Sequence, residues 1–450
     1  MLPLLDVETA RQTILRRDPR ARAAYPQSVL DGVARVFGAG ATPEHAVREI
    51  VASVRDEGDA ALRRWSATLD GVEIAEFRVP PDRFAEAFEG LAAPVARALR
   101  AAAARIRAFH ARQPLPNWST TDLGGVLGQR TRPIERVGVY VPGGSAPLPS
   151  SLLMSVIPAR VAGVPEIVVC TPPPPHPSIL GAAHVCGVTR LYQVGGAQAI
   201  AALAFGTESV PRVDKIVGAG NLFVTLAKQQ VYGQVGLDGL AGPTETLVIA
   251  DDSANPAWVA ADLLAQAEHD PLATAILLTP SKTLAEAVQA EAGRQLEDLP
   301  RAHIIAQSLE NNGGIVLTPD LDVAAALANE FAAEHLCLAV EDAAGLAESI
   351  EHAGGIFLGE HSFEVLGDYV AGPSHVMPTG GSARFASPLN VLDFVKITSV
   401  IGLDDATAAE LGSTAATLAK AEQLDGHANA ARIRSADGAD GADGGSKWSQ

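Results

Sequence analysis

A chain of 450 residues exceeds what one core organises, and 47% hydrophobic against 19% charged residues describes a folded globular protein of two or three domains, not a disordered one. The 52 acidic residues outnumber the 34 basic ones for a formal charge of -18, a sign that repels polyphosphate and anionic lipid, so neither a nucleic-acid nor a membrane partner is expected. Cys170, Cys186 and Cys337 are odd in number and widely spaced, which builds neither a disulfide framework nor a cysteine zinc site and fits a reducing compartment.

The start of the chain places Asp6 and Glu8 directly behind a short apolar run with no basic leader, unlike a signal peptide. No stretch reaches the roughly 18 uninterrupted apolar residues of a spanning helix. A soluble cytoplasmic protein is expected. Residues 1 to about 135 are rich in Ala, Arg and Glu, with helical spacing over 43–55 and 95–109, and read as a mainly helical entry region. From Arg136 the rhythm changes. Strand-length runs at 137–141, 166–170, 190–194 and 214–217 alternate with Ala/Leu-rich helical stretches, and a second alternation begins with 246–250, a helix from Pro256 and a strand at 275–279. This predicts an α/β fold of two Rossmann-like doubly wound domains, joined near Ala241-Gly-Pro243, with small helical N- and C-terminal segments. After Phe394 the chain reads as helical, and from Ser435 the Ala-Asp-Gly run is low-complexity and expected to be disordered.

In open parallel sheets, ligands sit beyond the carboxyl ends of the strands. Here those ends run into Val141-Pro-Gly-Gly144, Thr171-Pro-Pro-Pro-Pro175, Gly195-Gly-Ala-Gln198 and Gly218-Ala-Gly-Asn221, where glycines let backbone N–H groups and helix starts approach a phosphate. The dinucleotide fingerprint is incomplete, because Phe223 stands where a third glycine or alanine belongs. Tyr140 offers a stacking ring, and Gln198 and Asn221 offer amides; each also suits an ordinary helix start.

Five of eleven histidines directly follow a glutamate. His45, His352 and His361 have ordinary surface settings. Gln266 and His269 share one face near the end of a helix that Asn255 caps and Pro256 opens, and Asp270-Pro271 leaves His269 at its mouth, a candidate ligand, although the residues alone somewhat favour a solvated helix-end histidine. Glu334 and His335 stand at the entrance of a strand-like run, where an acid/base pair can form, while Cys337 inside that run reads as a buried structural cysteine. Asp368 and His375 lie in a glycine-rich stretch of loop composition, and His427 follows a helix break. Gln266, His269, Asp368 and His427 together are the mixed nitrogen and oxygen set that a catalytic zinc accepts, though their spacing alone does not select them.

These residues lie in stretches that resemble the histidinol dehydrogenase family: Val137-Gly-Val-Tyr-Val-Pro-Gly-Gly-Ser-Ala-Pro147, Val194-Gly-Gly-Ala-Gln-Ala-Ile-Ala-Ala-Leu-Ala-Phe-Gly-Thr207, Leu240-Ala-Gly-Pro-Thr-Glu245, Ala265-Gln-Ala-Glu-His-Asp270, Ala333-Glu-His-Leu336, Gly367-Asp-Tyr-Val-Ala-Gly-Pro-Ser-His375 and Glu422-Gln-Leu-Asp-Gly-His427. The resemblance implies one zinc ion per subunit on Gln266, His269, Asp368 and His427, and NAD contacts from Tyr140, Gln198 and Asn221. It implies Glu334 and His335 as the catalytic pair, and L-histidinol as substrate, met by Thr244, His375 and Glu422 together with the zinc ligands and His335. It also implies a homodimer in which the segment bearing Glu422 and His427 completes the neighbour's site. The corresponding partition is an N-terminal helical segment (1–25), an α/β domain with the metal and catalytic residues (26–136 with 247–390), an NAD-binding Rossmann-like domain (137–246), a C-terminal helical segment (391–434) and a tail (435–450).

Three positions depart from the family pattern: Ala333 and Ala219 replace prolines, and Thr244 stands where serine is common, but no ligand or acid/base group is lost. The implied chemistry is two-step oxidation of histidinol through histidinal with two NAD, His335 taking the alcohol proton and Glu334 activating water. The alternatives are a dehydrogenase of this fold acting on another primary alcohol, such as a sulfonated diol, and a scaffold that has lost catalysis.

Overall fold

The protein is described from a computed structural model that covers residues 2–17, 25–143 and 147–435. The Ala-Asp-Gly tail from residue 436 lies outside the described residues, as does Gly144 of the first glycine loop. The described residues fall into two compact units, one within 2–113 and 134–394 and the other within 114–133 and 395–435.

The first unit contains two six-stranded sheets. One is all parallel, in the order Leu4–Asp6, Gly313–Leu317, Thr274–Thr279, Glu245–Ala250, His335–Ala339, Gly355–Leu358. Its central strands are apolar on both faces, and helices sandwich them: Leu263 and Leu264 from Pro256–Ala267 on one side, Leu327 and Phe331 from Leu321–Phe331 on the other. The second sheet runs Arg78–Val79, Arg190–Gln193, Glu166–Thr171, Arg136–Tyr140, Lys215–Val217, Gly236–Leu237, parallel except for the first strand. In both sheets the strand order runs outward in both directions from an inner strand, Glu245–Ala250 in one and Arg136–Tyr140 in the other, which is the doubly wound pattern that the alternation predicts.

The boundaries differ from the sequence-based partition. Residues 26–113 do not join the sheet of 247–390. Arg78–Val79 pairs with Arg190–Gln193, and Val47, Ile50 and Val54 of helix Pro43–Glu57 bury against Ala199, Ile200 and Leu203 of helix Gly196–Phe205, because that helix presents the other half of an apolar seam. The N-terminal segment contributes a strand, Leu4–Asp6, before its helix Val7–Gln12. Both sheets fall within the one compact unit.

The second unit holds an antiparallel three-stranded sheet, Val395–Gly402 against Val126–Pro133 against Trp118–Thr120, followed by helices Asp405–Ala421 and Asp425–Arg432. The expected helix directly after Phe394 is therefore a strand, and its Val-Lys-Ile-Thr-Ser-Val-Ile-Gly composition carries the β-branched preference for extended backbone. Among the described residues, no helix is long and apolar enough to cross a membrane.

Candidate active site

The two sheets present opposite strand ends to one cavity of about 980 Å³. The second sheet faces it with carboxyl ends, in line with the rule for open sheets. Tyr140, Gln198 and Asn221 all line it. Close packing of backbone makes the glycines there necessary: a Cβ at Gly218, whose φ is +107°, would come within 2.2 Å of the Tyr140 carbonyl oxygen. Asn221 caps helix Leu222–Val231, its Oδ1 accepting from Phe223 N–H (3.1 Å) and Val224 N–H (3.2 Å), so the ordinary helix-start reading holds for its oxygen. The Tyr140 ring is buried, and what it offers is a hydroxyl, which accepts from Gly196 N–H (3.1 Å). Gln198 Nε2 donates to Asp70 (3.2 Å), and its buried Oε1 has no partner.

The first sheet faces the cavity with the amino ends of its strands. Thr244 and Glu245 open one strand and Glu334-His335 open its neighbour, paired in parallel, so all four stand at one edge. Ala332, at φ +54°, turns the chain out of helix Leu321–Phe331 directly before them. Gln266, fully buried, donates from Nε2 to Thr244 Oγ1 (2.8 Å), and Thr244 Oγ1 donates to Glu334 Oε2 (2.6 Å), which also accepts from Glu245 N–H (3.1 Å). His335 Nδ1 donates to the Glu245 carbonyl (3.1 Å), since a carbonyl can only accept. Its Nε2, buried and unpartnered, lies 3.8 Å from Asp368 Oδ1. His375 reaches the Asp368 backbone carbonyl through Nδ1 (2.8 Å) and Ser151 Oγ through Nε2 (3.2 Å). His269 and Asp368 line the cavity wall, and His335 and His375 adjoin Asp368.

The electrostatics are acidic. Burial pushes the Glu334 carboxyl up to about 7 against the opposing pull of His335. Burial opposes the charged form of His335, yet the carboxylates of Glu364, Glu334 and Asp368 outweigh it and hold the imidazole up at about 9. Burial keeps His269 below the ordinary histidine value, with Asp368 opposing, and a neutral imidazole is the form that binds metal. Among the described residues no three His, Cys, Asp or Glu groups converge in metal-holding geometry. The donor chemistry nevertheless fits a cation: the Gln266 amide oxygen is buried without a donor, and three buried or part-buried carboxylates surround one imidazole.

Glu422 and His427 belong to the second unit, Glu422 as C-cap of Asp405–Ala421 and His427 within Asp425–Arg432, and both are exposed. Asp368 differs from its loop-like composition by sitting in a short helix, Glu364–Tyr369. That helix carries a residue the sequence analysis missed. Glu364 is 1% exposed, accepts from Thr246 Oγ1 and stands 3.9 Å from His335 Nδ1; its spacing of four from Asp368 was the available signal. Arg17 was missed as well. It forks onto both Glu245 carboxylate oxygens (2.8 and 2.7 Å) and donates from Nε to the Phe331 carbonyl (2.6 Å), and nothing local marks it. All three cysteines are buried free thiols; burial pushes Cys186 up to about 12 and raises Cys170 and Cys337 well above the ordinary thiol value, so Cys337 is the structural residue expected.

A glycine-lined rim that meets a buried carboxylate and imidazole across one cavity is the architecture of an α/β oxidoreductase. A family model described as histidinol dehydrogenase matches residues 39–435. The histidinol dehydrogenase of Thermus thermophilus is 56% identical over 393 residues, covering 87% of this chain and 95% of that protein. That of Deinococcus radiodurans is 52% identical over 415 residues, covering 91% and 94%. The crystal structure of histidinol dehydrogenase from Elizabethkingia anophelis superposes with a TM-score of 0.87 at 34% identity, covering 96% of this chain and 98% of that one. The chain belongs to the histidinol dehydrogenase family.

Proposed function

We propose that this protein oxidises L-histidinol to L-histidine through histidinal, with two NAD consumed per turnover, as the last steps of histidine formation. The observation that carries the reading is the buried run Gln266, Thr244, Glu334, Glu245, His335, which abuts Asp368 at a cavity whose other end holds Tyr140, Gln198 and Asn221. A zinc ion would supply Lewis-acid polarisation of the alcohol oxygen there, and NAD would supply the hydride acceptor. His335, oriented by its bond to the Glu245 carbonyl, takes the alcohol proton on Nε2 in its neutral form, which a cation held beside Asp368 would favour by offsetting the carboxylate charge that otherwise keeps the imidazole protonated. Glu334, aimed by Thr244 and by Glu245 N–H, takes a proton from the water that adds to the aldehyde. His335 serves as base again in the second oxidation, and no cysteine takes part.

Gln266, His269 and Asp368 would hold the zinc from the first unit. His427 would supply the fourth ligand and Glu422 a contact to the cationic substrate, with Thr244 and His375 orienting its remainder. We assign the segment that bears Glu422 and His427 to the neighbour's site in a homodimer. Exposed Ile401, Leu411, Leu418, Leu424 and Ile433 on the second unit support a surface that is covered by a partner. Free thiols at all three cysteines are compatible with a cytoplasmic setting.

The test follows NADH formation and histidine with L-histidinol, against a diol sulfonate as competitor, with metal analysis and chelation alongside. Two NADH per histidine, lost on chelation and absent with the sulfonate, is the expected result. Turnover by fully active protein that holds no stoichiometric divalent ion would remove the zinc assignment, and oxidation of the sulfonate alone would remove the substrate.

A further inference from the structure

In an open nucleotide-binding sheet, the carboxylate that receives the adenosine ribose hydroxyls ordinarily comes from the end of the second strand. Here the second strand, Glu166–Thr171, ends in Pro172, Pro173, Pro174 and Pro175, and no acid stands there. Another segment brings one to the same rim. Ser66–Asp70 is a π-helical turn closed by Gly71 in the left-handed region, and it delivers Asp70 to the cavity wall beside Gln198 and Tyr140. The neighbouring wall is apolar, built from Val29, Val33, Val36 and Phe37 of helix Gln27–Phe37 together with Leu69. A purine fits such a slot, with a carboxylate at its edge.

The charge of this end is one-sided. Burial pushes the half-buried Asp70 carboxyl up to about 6, opposed by the Gln198 amide. Among the described residues that line the cavity, Arg301 is the single lysine or arginine, and it acts on His269 at the opposite end. Gln198 is 1% exposed, and its unpartnered Oε1 marks a second acceptor at the same spot that needs a donor from a ligand. Two acceptors and no cation suit hydroxyl donors and repel a phosphate.

We infer that Asp70 sets the choice of nicotinamide dinucleotide: with Gln198 it accepts the adenosine ribose hydroxyls and excludes a 2′-phosphate. The inference rests on the cofactor reading above and adds to it the residue that discriminates NAD from its phosphorylated form. Asp70→Asn keeps an acceptor for Gln198 Nε2 and removes the charge; Asp70→Ser removes bulk as well. Equilibrium titration of each purified protein with NADH and with NADPH, read by nicotinamide fluorescence, measures the two affinities without turnover. The expected result is a fall in the NADH-over-NADPH affinity ratio of about tenfold or more in both variants, the weight of one charge-assisted hydrogen bond, with unfolding curves unchanged. An unchanged ratio in both variants, on a protein that binds NADH, overturns the inference alone. If the parent protein binds neither dinucleotide, the cofactor reading falls and takes the inference with it.

Discussion

Arg17→Ala is the most informative perturbation of the scaffold, because a residue close to the chain start holds the backbone on which both acid/base groups hang. Arg17 forms a two-pronged ion pair with Glu245, a bond to the Phe331 carbonyl and a cation–π contact 3.8 Å from the Phe331 ring centroid. Glu245 in turn supplies the N–H that holds Glu334 and the carbonyl that holds His335. With Glu245 at 8% side-chain exposure, deleting the cation leaves a nearly buried carboxylate with the Gly380 N–H (3.2 Å) still in place. Loss of one partner of a buried pair costs about 3 to 5 kcal/mol; the 25% exposure of Arg17 and the surviving Gly380 bond bring the expected loss to about 2 to 3 kcal/mol. A double-mutant cycle in urea with Glu245→Gln measures it, and the expected coupling between the two sites is about 1.5 to 3 kcal/mol. Activity should fall beyond what unfolding explains, with the drop in kcat and not in KM, since the pair positions catalytic groups and not substrate. A coupling near zero with kcat unaltered would refute the argument that this ion pair fixes the catalytic edge.

Glu334→Gln keeps acceptors for Thr244 and Glu245 N–H but removes the base, so the aldehyde-to-acid half should slow by about 100- to 10,000-fold while the alcohol-to-aldehyde half slows much less; equal slowing with histidinol and histidinal assayed separately would count against the role. Burial pushes Asp262 up to about 7, with Glu360 adding to the effect, from an ordinary 3.8. A carboxyl raised in the folded state contributes stability that is full below its unfolded value and is lost as pH rises through the folded one. Asp262→Asn should therefore be more stable than the parent at about pH 8, by about 1 to 2 kcal/mol once its partial exposure is discounted, and should gain nothing near pH 4 in urea melts. Mixing Glu422→Ala subunits with His335→Ala subunits should restore activity if the second unit serves the neighbour, because each heterodimer then keeps one intact site; verified heterodimers without activity would return the segment to its own subunit.

Much of the site was legible because it follows local rules. Asn255 and Pro256 start their helix as expected, which puts Gln266 and His269 at its far end, and Glu334-His335 opens a strand as the apolar run after it requires. Asp70, Arg17 and the strand Leu4–Asp6 were not legible. Each acts on residues more than a hundred positions away, and a three-residue edge strand or a single arginine leaves no periodicity to read. Residues 26–136 were grouped with 247–390, whereas the helix Pro43–Glu57 within them packs on the other sheet's helix Gly196–Phe205, for a related reason: amphipathic spacing shows that a helix has an apolar face, not which seam it closes. Glu334 and His335 stand at the amino end of their strand, the entrance that the sequence indicates, although the general rule for open sheets points to carboxyl ends.

The antiparallel sheet of the second unit has a consequence for the order in which the molecule assembles. Val126–Pro133 has as its partner Val395–Gly402, a strand far along the chain from it, and closing so long a loop from an unfolded chain is slow. The first unit removes that delay. Its Ile134 N–H donates to the Phe394 carbonyl (2.9 Å), so once it has folded, Pro133 and Val395 emerge side by side and the antiparallel ladder has only to zip outward. In topology the intervening segment is a large insertion between two paired strands, and a chain cut short at Phe394 leaves Val126–Pro133 with an unpaired edge that invites aggregation.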